Sequence, residues 1–148
     1  MRIMTSRFGE IEVDEKKIIH FKRGILGFPS YKNYALLDPN AGSPLKWLQS
    51  IDEPKLAFVI TEPSLFIQDY QIDIHKSELE DLETEILDNI IHFVIVTVPS
   101  DPSKMTANLK GPLLINMINH QAKQLVLDDP TLELKYRLLA EQSMAANS

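Results

Sequence analysis

Apolar and polar residues along this chain come in short bursts, broken by Gly, Pro, Asn or Asp roughly every eight to twelve residues. Ile11 and Val13 alternate with Glu10, Glu12 and Asp14, the period-2 pattern of a strand with one wet face. Residues 2–6, 10–14 and 17–22 read as three short strands, with Phe8-Gly9 and the charged run Asp14-Glu15-Lys16-Lys17 as their turns. Further strands are predicted over 34–38, 47–51 and 56–60, separated by the Asp38-to-Pro44 loop and by Asp52-Glu53-Pro54. The strongest is 90–98, IIHFVIVTV, which is dense in β-branched residues. Residues 104–109 make one more strand, and 113–118 form a continuous apolar run suited to burial on both faces. Gly111-Pro112 just ahead of it removes a backbone donor, as a bulge or strand start requires. Asn119-His120 then turns the chain into a return strand over 123–127, so these two strands make a hairpin. Residues 132–141 read as a short helical segment and 143–148 as a frayed end.

One helix interrupts the pattern. Ser77-Glu78-Leu79-Glu80 has the capping-box form, and Leu79, Leu82, Ile86 and Leu87 follow as a narrow apolar stripe, predicting a helix over about 77–89. Its other face carries Glu78, Glu80, Asp81, Glu83, Glu85 and Asp88 against Lys76. That face is either the solvated side of a cap over a barrel mouth or an acidic docking surface. Many short strands with one helix predict a mainly β fold, a barrel or a sandwich.

Charge and chemistry narrow the function. The 148 residues fit one domain, 44% are hydrophobic, and the net charge is -6. Phosphate contacts need Lys and Arg, so direct nucleic-acid binding is disfavoured. The best basic run, His20-Phe21-Lys22-Arg23, reads as a solvated strand end. The chain has no cysteine, which excludes disulfides and thiolate chemistry. No signal-like apolar region and no membrane-length apolar run is present, so a cytoplasmic, membrane-free protein is expected. The four histidines stand in no metal-ligand spacing, and no nucleophile elbow, P-loop or dinucleotide fingerprint occurs. Neither catalysis, nor a metal, nor a cofactor is expected. Two features suit contact with other proteins. In Gly24-Ile25-Leu26-Gly27-Phe28-Pro29, two glycines and a proline surround three apolar side chains, which must fold onto the core or meet a partner. Trp47, the sole tryptophan, reads as a core plug, and heads the interface candidates if it is exposed.

Taken in order, Gly24-Ile-Leu-Gly-Phe28, Trp47-Leu-Gln-Ser50 followed by Pro54 and Leu56-Ala57-Phe58, and Asn108-Leu-Lys-Gly-Pro112 running to Asn116 resemble the flagellar assembly factor FliW family. The similarity keeps one register from the N-terminus to about Tyr136. It implies a compact pseudo-barrel of short, largely antiparallel strands capped by the helix, one domain over 1–142. It also implies a non-catalytic cytoplasmic regulator, monomeric when free, with two partners. One is flagellin before export, and the other is CsrA, an RNA-binding repressor of flagellin translation that the free protein antagonises. An acidic protein is suited to silencing such a partner. The partner-binding candidates are Ile25, Leu26, Phe28, Trp47, Glu78, Asp81 and Glu85. Gly24, Gly27, Asn108, Pro112 and Asn116 are expected to hold backbone shape, the glycines by permitting positive φ. The competing readings are a small-ligand-binding barrel with Trp47 and Phe58 at its mouth, and an adaptor domain for another protein.

Overall fold

The structure, a computed structural model, describes residues 1–139. The apolar runs become strands β1 (Arg2–Thr5), β2 (Gly9–Glu12), β3 (Ile19–Phe21), β4 (Asn33–Leu37), β5 (Leu45–Ser50) and β6 (Ala57–Thr61). After helix α1 (Lys76–Asp81) come β7 (Ile90–Thr97), β8 (Thr106–Ala107), β9 (Leu113–Asn116), β10 (Gln121–Gln124) and β11 (Tyr136–Arg137). Most lie within a few residues of where alternation and β-branching place them.

Strands β3 to β7 pair successively as antiparallel neighbours, β7 pairs β9, and β9 pairs β10 in the expected hairpin. Strand β10 then returns to β3, closing a barrel of seven strands. That closing pair is parallel, with Gln121 beside His20 and Ala122 beside Phe21. The main-chain bond from His20 N–H to the His120 carbonyl, 2.9 Å, extends the same seam. Closure leaves these strands no free edge, which removes a template for aggregation. The outer half of β7 carries β8, and β8 carries β11. Strands β1 and β2 form a separate ribbon, laid over β4 through Ile3, Val13 and Ala35.

Strand alternation fills the barrel with side chains. Phe21, Tyr34, Leu48, Ile60, Leu113 and Ile115 are all essentially inaccessible and belong to one cluster. Each contributes about 1.5–3 kcal/mol by leaving water. Strand β9 is buried at every position, as its continuous apolar run predicts. Leu113 and Ile115 face inward, whereas Leu114 meets Leu82 on the opposite side, so α1 covers the barrel from outside its wall.

Three expectations need correction. The helix ends at Asp81, well short of residue 89. Ser77 lies inside it, and the N-cap, His75, makes no side-chain cap bond, so the capping box does not form. The chain leaves the helix in a Schellman turn: Glu83 N–H bonds Glu80 O at 3.0 Å and Thr84 N–H bonds Leu79 O at 3.1 Å. Glu83 takes the left-handed conformation there, φ 54°. Of the apolar stripe, Leu82 is fully buried, but Ile86 and Leu87 are exposed. Second, residues 132–139 are not helical; Tyr136–Arg137 add a short strand to β8 instead. Third, Trp47 is no core plug. Leu48 takes the interior position, and Trp47 faces outward from β5 against Phe8. The expected frayed end, 143–148, lies outside the described residues.

Candidate functional site

The loop after β3 owes its shape to Gly24. Its φ is 68°, and a Cβ there would stand 2.7 Å from both Phe28 O and Pro29 Cα. No other residue fits, because both obstacles are backbone. Gly27 also holds positive φ, 89°. Between them the loop closes on itself through Phe28 N–H to Ile25 O, 2.7 Å. Gln124 on β10 pins it from outside, its Oε1 accepting from Leu26 N–H at 2.8 Å while its Nε2 donates to Gly111 O at 3.0 Å.

The three apolar side chains of this loop part company. Ile25 is 2% exposed and belongs to the barrel interior, so it cannot meet a partner as expected from sequence. Leu26 is 72% exposed. Phe28 is 39% exposed and leans edge-on against Phe58, with ring centroids 5.5 Å apart. The loop is therefore half plug and half surface, and the surface half is held in place by the plug.

The acids of the helical segment also divide. Lys123 on β10 reaches Asp81 Oδ2 at 2.6 Å and the Glu78 carboxylate as well. That bond from Lys123 holds the Asp81 carboxyl below its ordinary value. Partial burial pulls the Lys123 ammonium down, but hydrogen bonds to the two carboxylates outweigh it and leave its pKa raised. Glu78 and Asp81 thus fasten α1 to the barrel. Glu85 is exposed and lies beyond the helix, in the turn where Ile86 N–H donates to Thr84 Oγ1. A continuous acidic helix face does not exist; Glu83 and Glu85 lie on irregular chain and Asp88 in a separate 3-10 turn, Leu87–Asn89.

A surface cleft of about 420 Å³ joins these parts, bordered by Arg23, Gly24, His75, Glu78, Lys123 and Gln124. Loop, helix and β10 are one neighbourhood. Trp47 is elsewhere. It borders a groove of about 680 Å³ with Phe58, Val59 and Val98, under the Arg7 guanidinium, which lies 4.4 Å from the centre of its ring. Trp47 and Phe58 do share a groove, as the ligand-barrel reading requires, but the interior between the strands is filled by the side chains of the core.

Around Pro112 and Asn116 the backbone is bent by side-chain hydrogen bonds. Asn108 Oδ1 accepts from Lys110 and Gly111 N–H, bending the chain into Pro112, whose carbonyl accepts from Leu125 N–H at 2.9 Å. Asn116, 1% exposed, accepts from Ile118 N–H at 2.9 Å and donates to Leu82 O at 2.9 Å. Asn119 Nδ2 adds a second donor to Leu82 O, at 3.1 Å. Sequence reasoning missed Lys123, Gln124 and Asn119, which lie on a return strand or turn and carry no pattern that distinguishes them from solvated residues. Among the described residues, no group of three or more His, Cys, Asp or Glu side chains is placed to hold a metal ion. Nor is any helix there long and apolar enough to cross a membrane.

Known proteins resemble this chain along its whole length. The family profile described as FliW protein matches residues 2–138. The flagellar assembly factor FliW of Alkaliphilus metalliredigens is 42% identical over 142 residues, covering 95% of this chain and 88% of that relative. The one from Treponema denticola is 39% identical over 148 residues, all of both chains. A crystal structure of the flagellar assembly factor FliW superposes with a TM-score of 0.88 at 35% identity, over 96% of this chain and 99% of that one. A closed barrel with one short helix, shared end to end at this level of identity, is a family trait, and the chain belongs to the FliW family of flagellar assembly factors.

Proposed function

We propose that the protein is a non-catalytic cytoplasmic regulator of flagellar assembly that binds flagellin before export and, when free, binds CsrA and relieves its repression of flagellin translation. The observation that carries this reading is the fixed exposure of Leu26 and Phe28. Gly24, Ile25 and Gln124 hold these side chains at the surface, and Gly24 shares a cleft with Glu78. Covering Leu26 alone is worth about 1.5–3 kcal/mol to a complex, and a rigid loop loses little entropy on binding. With its interior filled, the barrel has its surface to work with.

The test is to mix the purified chain with CsrA and with flagellin, separately and together, on a sizing column. Each partner should co-elute with the chain, and flagellin should release CsrA. Elution of the chain alone in both mixtures would refute the proposal.

A further inference from the structure

The run Trp47-Leu48-Gln49-Ser50 is divided by strand alternation, and its outward half has no part in the loop described above. Trp47 registers with Val59 on β6, and Val59 with Val96 on β7, so an apolar row crosses three strands. Val98, 43% exposed, continues it. Arg7 lies over the Trp47 ring. Arg7 and Ala57 border this groove and also a second one of about 370 Å³, which Gln49, Pro54 and Lys55 complete. The two grooves adjoin at those shared residues.

Charge is what sets this face apart. The chain carries -6 overall, yet neither groove is lined by a carboxylate, and the charged side chains lining them are Arg7 and Lys55. Among the described residues, Arg7 and Lys55 have no ion-pair partner. Gln49 packs beneath the second groove. Its side chain is fully buried, and its Nε2 donates to the carbonyls of Ser50, Pro54 and Leu56, which fixes the amide's orientation. Its Oε1 accepts no hydrogen bond from the described residues, although Gln49 lines the second groove.

We propose that this face docks an acidic, aliphatic segment of a partner protein. Its apolar side chains lie along Trp47, Val59 and Val98, and its carboxylates meet Arg7 and Lys55. Arginine already stacked on an aromatic ring is preorganised for a carboxylate. This face is separate from the first, because no residue lining these grooves also lines the cleft at Gly24, Glu78 and Lys123.

Trp47 is the only tryptophan, so its emission reports the groove directly. The probes are three synthetic peptides of equal length, alternating Glu with Leu, Lys with Leu, and Glu with Ser. The Glu/Leu peptide should shift Trp47 emission saturably and bind about tenfold tighter than either of the others. That preference opposes the field of the whole molecule, which favours a basic peptide everywhere else. Arg7→Glu should reverse the order of the Glu/Leu and Lys/Leu peptides. Val98→Asp should weaken the Glu/Leu peptide about tenfold while leaving the melting temperature unchanged, since Val98 is exposed. An unmoved emission, a wild-type preference for the Lys/Leu peptide, or equal Glu/Leu affinity in Arg7→Glu would each overturn the proposal.

Discussion

Asn116 joins the end of α1 to the turn between β9 and β10, and its replacement tests whether that join fixes the helix. Asn116→Ala removes the donor to Leu82 O and the acceptor of Ile118 N–H, both 2.9 Å bonds, together with a weaker one from Asn119 N–H at 3.4 Å. At about 0.5–1.5 kcal/mol for each of the two good bonds, the loss is about 2 kcal/mol. Retention of the Asn119 donor on Leu82 O keeps it from being larger. Asn116→Asp separates the parts. It keeps the acceptor for Ile118 but turns a carboxylate oxygen toward the Leu82 carbonyl, so the ionised form is opposed in a site 1% exposed. The aspartate's pKa is therefore raised on folding. Below its unfolded value of about 3.9 the protonated acid can donate to Leu82 O, and the variant approaches wild type. As pH rises through the folded pKa, its stability falls below that of Asn116→Ala. Urea unfolding of the three proteins across the acid range, with slopes compared so that only midpoints are read, measures this. A cost for Asn116→Ala below about 0.5 kcal/mol would refute the reasoning. So would a difference between Asn116→Asp and wild type that does not change with pH.

Glu83→Gly should stabilise the fold by about 0.5–1 kcal/mol, because Glu83 holds φ 54° at the Schellman position where an L side chain is strained; a lower urea midpoint would contradict this. Burial holds the half-buried His92 below its ordinary 6.5, so unfolding takes up a proton as pH drops beneath that value. Stability should decline there, and His92→Gln should flatten the decline, as read from melting temperatures over that range. Leu26→Ser should weaken binding of CsrA or flagellin about tenfold or more without lowering the melting temperature, since Leu26 is 72% exposed; unchanged dissociation constants for both partners would remove the loop from the site.

What the chain determines locally was legible in it. The IIHFVIVTV strand, the buried run of β9, the hairpin into β10 and the glycine-held loop follow from side-chain period, β-branching and backbone permission, all of which act over a few neighbouring residues. The helix did not, and for a definite reason. Its apolar stripe runs on to Leu87, but the carbonyls of Leu82 and Glu83 are taken by Asn116 and Asn119, more than thirty residues away in sequence. Trp47 alternates correctly with Leu48, yet alternation alone does not say which side of β5 is inside; the ribbon carrying Arg7 and Phe8 decides that. The parallel closure of β10 on β3, the pinning of the loop by Gln124 and the capture of Glu78 and Asp81 by Lys123 are likewise meetings of distant residues. Period and propensity are properties of a segment, whereas a hydrogen bond or ion pair across the barrel exists only once closure has placed both of its ends.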